Sequence, residues 1–383
     1  MRIFNVGFIF LFMAMLMLPL LFVDLSSNRV SVEENRMLAE RPGLSELKNQ
    51  PGTFVRNFDA WFKDSTGFRK QLIQLYQMID KNKWLNAVVR YTVGEDVVML
   101  IGEKGHHYSG GPNGIWISRY QGKRLISDEQ LANTANKLEE VKIYLDSKRI
   151  PLLIMLCTDK EMIYPEFYPK SIKRRPEPIE MDLITAYLKE HTNIDVFNIR
   201  QALLAEKDNY LLYDVSSGDL YHYNEIGAFF AYRELMKHVN IYFPWIVPYE
   251  LNDIDISYDE KGIPDVSLKA ETAYKRLDTS FFDDVELNRP FIWQNVAYEN
   301  IDPNLPLILF FRDSYAGYFD ELHDKKFIMQ YIASHFGKAI FIHYQNLEHF
   351  EEYIAKYKPD IVVFETREPH NFAFFAARIP ELP

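Results

Sequence analysis

The chain has 383 residues and a formal charge of −11, with 43 Lys and Arg against 54 Asp and Glu and no long basic run. That balance argues against nucleic acid as the ligand, and the single Cys157 excludes an internal disulfide or a multi-thiolate metal site. The length is enough for one large domain, or for one domain with appendages.

Residues 3–23 contain no charged side chain and are dominated by Phe, Leu, Met and Ile. As a helix this stretch reaches about 30 Å, the thickness of a bilayer core. Arg2 precedes it and Asp24 follows, so the expectation is a transmembrane anchor over 1–24 with the remaining chain outside the cytoplasm. A cleaved signal peptide is the competing reading, but the stretch is long for one and no small-x-small cleavage site follows.

Residues 25–90 read as a juxtamembrane helical region. Apolar positions at helical spacing run through Phe54, Phe58, Trp61, Phe62, Leu72, Ile73, Leu75, Tyr76 and Ile79, and a break at Ser65-Thr66-Gly67 makes two helices. From about residue 91 the texture changes to short apolar runs separated by amphipathic stretches. Strands are expected at 96–101, 152–157, 194–199, 307–311, 339–342 and 361–364, with helices at 127–147, 180–190, 225–239, 324–335 and 347–357. Ser127 with Gln130 forms a capping box that starts the first of these helices. Near-continuous apolar strands alternating with such helices predict an α/β fold: a parallel central sheet in a three-layer α/β/α sandwich over 91–383. Residues 243–304, rich in Asp, Pro and Tyr, break the rhythm and read as an insertion of loops and short strands.

Two segments carry the chemistry. Arg312-Asp313-Ser314-Tyr315 follows the apolar run 305–311, which sets Ser314 at the C-terminal tip of a buried parallel strand, where open α/β sheets hold their ligands. A serine there is accessible and lies near backbone N–H groups able to face an oxyanion, but it needs a base to become a nucleophile. On propensity alone, Ser314 or Asp313 caps a helix starting near Tyr315. His222, in the polar segment Gly218-Asp219-Leu220-Tyr221-His222-Tyr223-Asn224, supplies the base, and either Asp219 or Asp214 can orient its ring. The other histidines have plainer readings. Nothing near His106-His107 completes a metal shell, and His343 and His370 end or flank elements. Lys170 to Arg175 is a basic cluster on a solvated loop.

Several collinear motifs resemble the AlgJ/AlgX-type alginate O-acetyltransferase family. Phe58, Phe62, Asp64, Phe68 and Arg69 fit its F-x-x-x-F-x-D-x-x-x-F-R signature, after Glu34-Asn35-Arg36. Gly102 and Gly105 fit its glycine-flanked turn, Tyr120-Gln121-Gly122 its Y-x-G, and Lys160 with Tyr164 and Tyr168-Pro169 its K-x-x-x-Y…P block. His222-Tyr223-Asn224-Glu225-Ile226-Gly227, Asp313-Ser314 and the strand Lys358 to Glu365 complete the match. Two departures stand out: the family's D-x-H is D-x-x-H here, and its G-W-L-F is Gly105-His106-His107-Tyr108.

The resemblance implies an SGNH-hydrolase-like fold with Ser314 as nucleophile, His222 as general base and Asp219 as orienting acid. It further implies acetyl transfer to polysaccharide hydroxyls outside the cytoplasm, with no cofactor and with a multi-spanning membrane O-acyltransferase as acetyl donor. A polysaccharide acetylesterase with the same triad, and a non-catalytic carbohydrate-binding or assembly factor, are the rival readings.

Overall fold

In the computed structural model the described residues are 17, 21–24, 30–31, 36–67, 91–93, 97–112, 114–123, 125–216, 219–260, 262–270, 273–277, 279–282, 295–317, 327–367 and 376–382. They fall into two compact units, Met1–Val98 and Met99–Pro383.

Within the first unit, the helix Pro51–Ser65 begins with proline at its first turn, where no N–H is needed. Phe54, Phe58 and Phe62 stack along one side at four-residue spacing, and Asp64 accepts the Ala39 N–H at 2.8 Å. The second expected helix, and the motif residues Glu34, Asn35, Phe68 and Arg69, lie outside the described residues. So does the expected membrane span, apart from Met17 and residues 21–23; among the described residues no helix is long and apolar enough to cross a membrane.

The second unit is built on a seven-stranded sheet: β1 Leu152–Cys157, β2 Asp195–Asn198, β3 Tyr274–Arg276, β4 Val296–Asn300, β5 Leu307–Arg312, β6 Lys338–His343 and β7 Ile361–Arg367. Their spatial order is β3-β4-β6-β5-β7-β1-β2. The five strands from β6 to β2 are parallel, in a register that sets Phe311 beside Phe364 and Phe364 beside Ile154. β1 and β7 are buried along their whole length, as a sheet covered on both faces requires.

Alternation along the strands sends Leu153, Met155, Ile308, Phe310, Phe341 and Val363 to one face, where they join Phe229, Leu235 and Met236 of helix α3 (Glu225–Tyr242) and Met329 and Ile332 of α4 (Ile328–Ala333). On the other face Phe311 and Phe364 pack on Phe350 of α5 (Phe350–Tyr357), which also meets Tyr144 of α1 (Asp128–Ser147). Helix α1 starts at the Ser127–Gln130 capping box, and α2 spans Glu180–His191.

The sheet is mostly rather than wholly parallel. β4 pairs antiparallel with β6, and β3 antiparallel with β4, so part of the expected insertion continues the central sheet at its edge. The sequence hides this because Val296-Ala297-Tyr298-Glu299-Asn300 carries Glu and Asn and lacks the aliphatic run of a central strand. Within the same interval Ile254–Tyr258 pairs antiparallel with Pro264–Leu268. The helix expected at 347–357 is divided into a 3-10 segment, Tyr344–His349, and α5.

Candidate active site

The C-terminal ends of β1, β5 and β7 deliver Asp159, Ser314 and Arg367 to one end of the sheet. Beyond β5 the chain makes a turn at Ser314–Tyr315–Ala316 instead of entering a helix, so Ser314 caps nothing among residues 315–317. Buried Asp313 shapes that turn. Its Oδ1 accepts the Tyr315 N–H at 2.8 Å, its Oδ2 accepts the Arg367 N–H at 2.6 Å, and its own N–H donates to Glu365 Oε2 at 3.1 Å. Arg312 is fully buried, and its Nη1 donates to the carbonyls of Asp313 and Gly317 at 3.2 and 3.1 Å. The Tyr315 carbonyl accepts from the Tyr223 hydroxyl at 2.5 Å. Ser314 is thus fixed from both sides while its side chain stays partly accessible.

His222 sits two residues before α3. Asn224 caps that helix by accepting the Gly227 N–H at 3.1 Å and is itself tied to the Leu211 and Leu212 carbonyls. Gly227 is required for close approach, since a Cβ there would stand 2.5 Å from the Leu212 carbonyl oxygen. The imidazole packs against Tyr221 and Tyr315, with ring centroids at 4.1 and 4.6 Å.

Its Nε2 lies 2.8 Å from Ser314 Oγ, and its Nδ1 lies 2.9 Å from each Asp219 oxygen. With Nδ1–H donated to a carboxylate, Nε2 is the acceptor for the serine hydroxyl. The additional residue of D-x-x-H is absorbed by a tight turn in which Asp219 Oδ1 also accepts the N–H groups of Tyr221 and His222, at 3.3 and 3.0 Å. Burial alone would raise the Asp219 carboxyl, but the His222 charge and these hydrogen bonds outweigh it and hold it at about 2. Asp214 is engaged elsewhere: its carboxylate takes the Asn224 amide at 3.4 Å and its carbonyl takes Lys160.

Three buried features around this constellation are not apparent from local spacing. Lys160, 1% exposed, donates to the carbonyls of His107 at 2.8 Å, Val215 at 3.0 Å and Asp214, bracing the segment that leads to Asp219. Burial lowers its ammonium to about 8 against the attraction of Asp214, Asp219 and Glu161. Glu365, which accepts the Asp313 N–H before the Ser314 turn, is pushed well above the carboxylate range by burial and then by Asp313. Arg367 forms a bidentate pair with Asp159, at 2.9 and 2.8 Å, and burial, which lowers its pKa, is outweighed by Asp159, so it stays charged. The sequence signals for these were the motif positions Lys160 and Glu365 and the polar residues closing fully buried strands: Asp159 and Lys160 after β1, and Glu365, Thr366 and Arg367 within β7. Among the described residues no cluster of three or more His, Cys, Asp or Glu is arranged to hold a metal ion.

No family model and no curated protein matches the chain. Solved structures similar to it include a DHHW family protein from Eubacterium siraeum, 15% identical, covering 76% of this chain and 98% of that one at a TM-score of 0.47. Bacillus cereus PatB1 is 12% identical over 72% of this chain and 97% of its own, with a TM-score of 0.48. The O-acetyltransferase domain of Pseudomonas putida AlgJ is 12% identical over 74% and 93%, with a TM-score of 0.41. The chemistry of the site is read from the chain's own atoms.

Proposed function

We propose that this chain is a membrane-anchored, extracytoplasmic O-acetyltransferase that acts on polysaccharide hydroxyls through an acetyl-Ser314 intermediate. The observation that carries the reading is the unbroken contact path from Asp219 through both nitrogens of His222 to the hydroxyl of Ser314, at the C-terminal end of a parallel sheet. The collinear family motifs support acetyl as the group and a glycan as the acceptor.

In the first half-reaction Ser314 Oγ adds to the donor's ester carbonyl as its proton passes to His222 Nε2. Collapse expels the donor alkoxide, which takes that proton and leaves acetyl-Ser314. In the second half-reaction His222 deprotonates a sugar hydroxyl, which adds to the acetyl carbonyl; Ser314 departs and recovers the proton. Asp219 fixes the imidazole and balances the positive charge it carries between the steps. The donor is proposed to be supplied by a multi-spanning membrane O-acyltransferase, and the anchor to be residues 3–23.

The test is incubation with an activated acetyl ester and an oligosaccharide panel, read by mass spectrometry beside a Ser314→Ala control. Acetylated sugar and a trapped acetyl on the Ser314 peptide support the proposal. Free acetate with no acetylated sugar assigns the esterase reading, and acetyl on another side chain removes Ser314 from the role.

A further inference from the structure

Phe311 of β5 pairs with Phe364 of β7, and the two parallel strands run on to Arg312 and Arg367 at the same end of the sheet. Their ends are fastened together, because the Arg367 N–H donates to Asp313 Oδ2 at 2.6 Å. The Arg367 guanidinium is held on three sides. Nε and Nη2 donate to the fully buried Asp159 carboxylate, and Cζ lies 3.5 Å from the ring centre of Trp116 and 4.4 Å from that of Tyr221. Trp116 is itself pressed from behind: at Gly111, whose φ is +70°, a Cβ would stand 2.4 Å from the indole Cγ. Tyr221 immediately precedes His222.

Two donors remain unused. Arg367 Nη1 has no protein partner among the described residues, although the side chain is only 11% exposed, and the Ser314 backbone N–H likewise has none. A buried ion pair is a poor device for stability, since the desolvation of both ions offsets their attraction. A rigid, charged fork with one free corner, stacked on the tyrosine that packs against the His222 imidazole, is a good device for binding charge that develops during reaction, because it needs no reorganisation.

We propose that Arg367 is a catalytic residue whose Nη1, together with the Ser314 N–H, binds the acyl carbonyl oxygen and the oxyanion formed from it. The inference rests on the acyl-serine reading. As Ser314 Oγ bonds to the carbonyl carbon and its proton moves to His222, the C=O π pair moves to oxygen, where the two donors meet it. On collapse the pair re-forms the carbonyl and the donor alkoxide leaves with the His222 proton. The same donors serve again when the sugar hydroxyl attacks.

The test compares wild type, Ser314→Ala, Arg367→Lys and the double variant Asp159→Asn/Arg367→Gln, which removes both buried charges together. Turnover of an acetyl ester is measured as kcat and KM, with thermal unfolding in parallel. Expected for both Arg367 variants is a kcat lowered about 100- to 1,000-fold with KM changed less than about threefold. Raised KM with kcat retained, or no change in either, overturns the proposal. If the double variant fails to unfold cooperatively, Arg367→Lys, which keeps the charge against Asp159 but not the third corner, decides. Ser314→Ala separates the two readings: activity that survives it removes the acyl-serine mechanism, whereas activity that needs Ser314 but not Arg367 removes only this inference.

Discussion

The turn that bears Ser314 and the turn that bears His222 meet through the His222–Ser314 contact and through hydrogen bonds of Tyr315 with Tyr221 and Tyr223, yet they are held in place by different means. Around Ser314 the restraints are buried and remote in sequence: Arg312, Asp313 and Glu365 are at most 2% exposed, and β7 reaches the turn from over fifty residues away. Around His222 they are mostly local, with Asp219 serving its ring and two N–H groups within three residues, and with a side chain still 33% exposed. A site can therefore combine a rigid half, built by the sheet, with a half shaped by its own short turn and braced at one point by Lys160.

The sharpest break in that contrast is chemical. Ser314→Ala should abolish acetyl-ester turnover, by on the order of 10⁴-fold or more, with unchanged thermal unfolding, because a partly exposed hydroxyl leaves no core cavity. A large loss of Tm would show instead that the hydroxyl helps to hold the rigid half together. Next in size, Asp219→Asn should lower kcat by about 10³- to 10⁴-fold through the wrong imidazole tautomer, whereas Asp214→Asn should stay within about threefold. The reverse order in kinetics would transfer the orienting role to Asp214.

Lys160→Met probes the brace. Three carbonyls lose their donor, so a destabilisation of about 2–5 kcal/mol in denaturant unfolding and a fall of about 10- to 100-fold in kcat are expected. Undiminished turnover would mean that the acid–base turn needs nothing beyond its own residues. The smallest effect is in pH dependence. The Asp219 carboxyl is depressed from 3.8 to about 2, so its ionised form stabilises the fold above about pH 4, and that contribution is lost as pH falls towards 2. Asp219→Asn should flatten this acid limb of a Tm-against-pH curve, by a small amount because the carboxylate is a third exposed.

The same contrast governs what could be read from the sequence. The parallel strands announced themselves as aliphatic runs, and α1 by its cap, because those signals lie within a few adjacent residues. Ser314 after an apolar run and His222 near two acids were visible for the same reason, although spacing alone left Asp219 and Asp214 equal. The Asp159–Arg367 pair joins residues 208 positions apart, and Glu365 meets Asp313 across 52, so no local pattern encodes either. The antiparallel strands were hidden because β3, at the edge, is largely exposed and β4, though mostly buried, carries Glu299 and Asn300 in place of an aliphatic run.

β7 is the last of the seven strands in chain order, yet it lies between β5 and β1, inside the sheet. Without β7 the strand order leaves two separate groups, β1 with β2 and β5 with β6, each with an open edge where β7 belongs. Inserting β7 joins the halves, and the same event brings Glu365 and Arg367 to the end of β5. On the proposed mechanism, activity is coupled to completion of the sheet: a chain interrupted before residue 361 holds Ser314, His222 and Asp219 but lacks the strand that carries Glu365 and Arg367. Two open strand edges are also templates for pairing with other chains, so the insertion that brings Glu365 and Arg367 to the site also closes both edges.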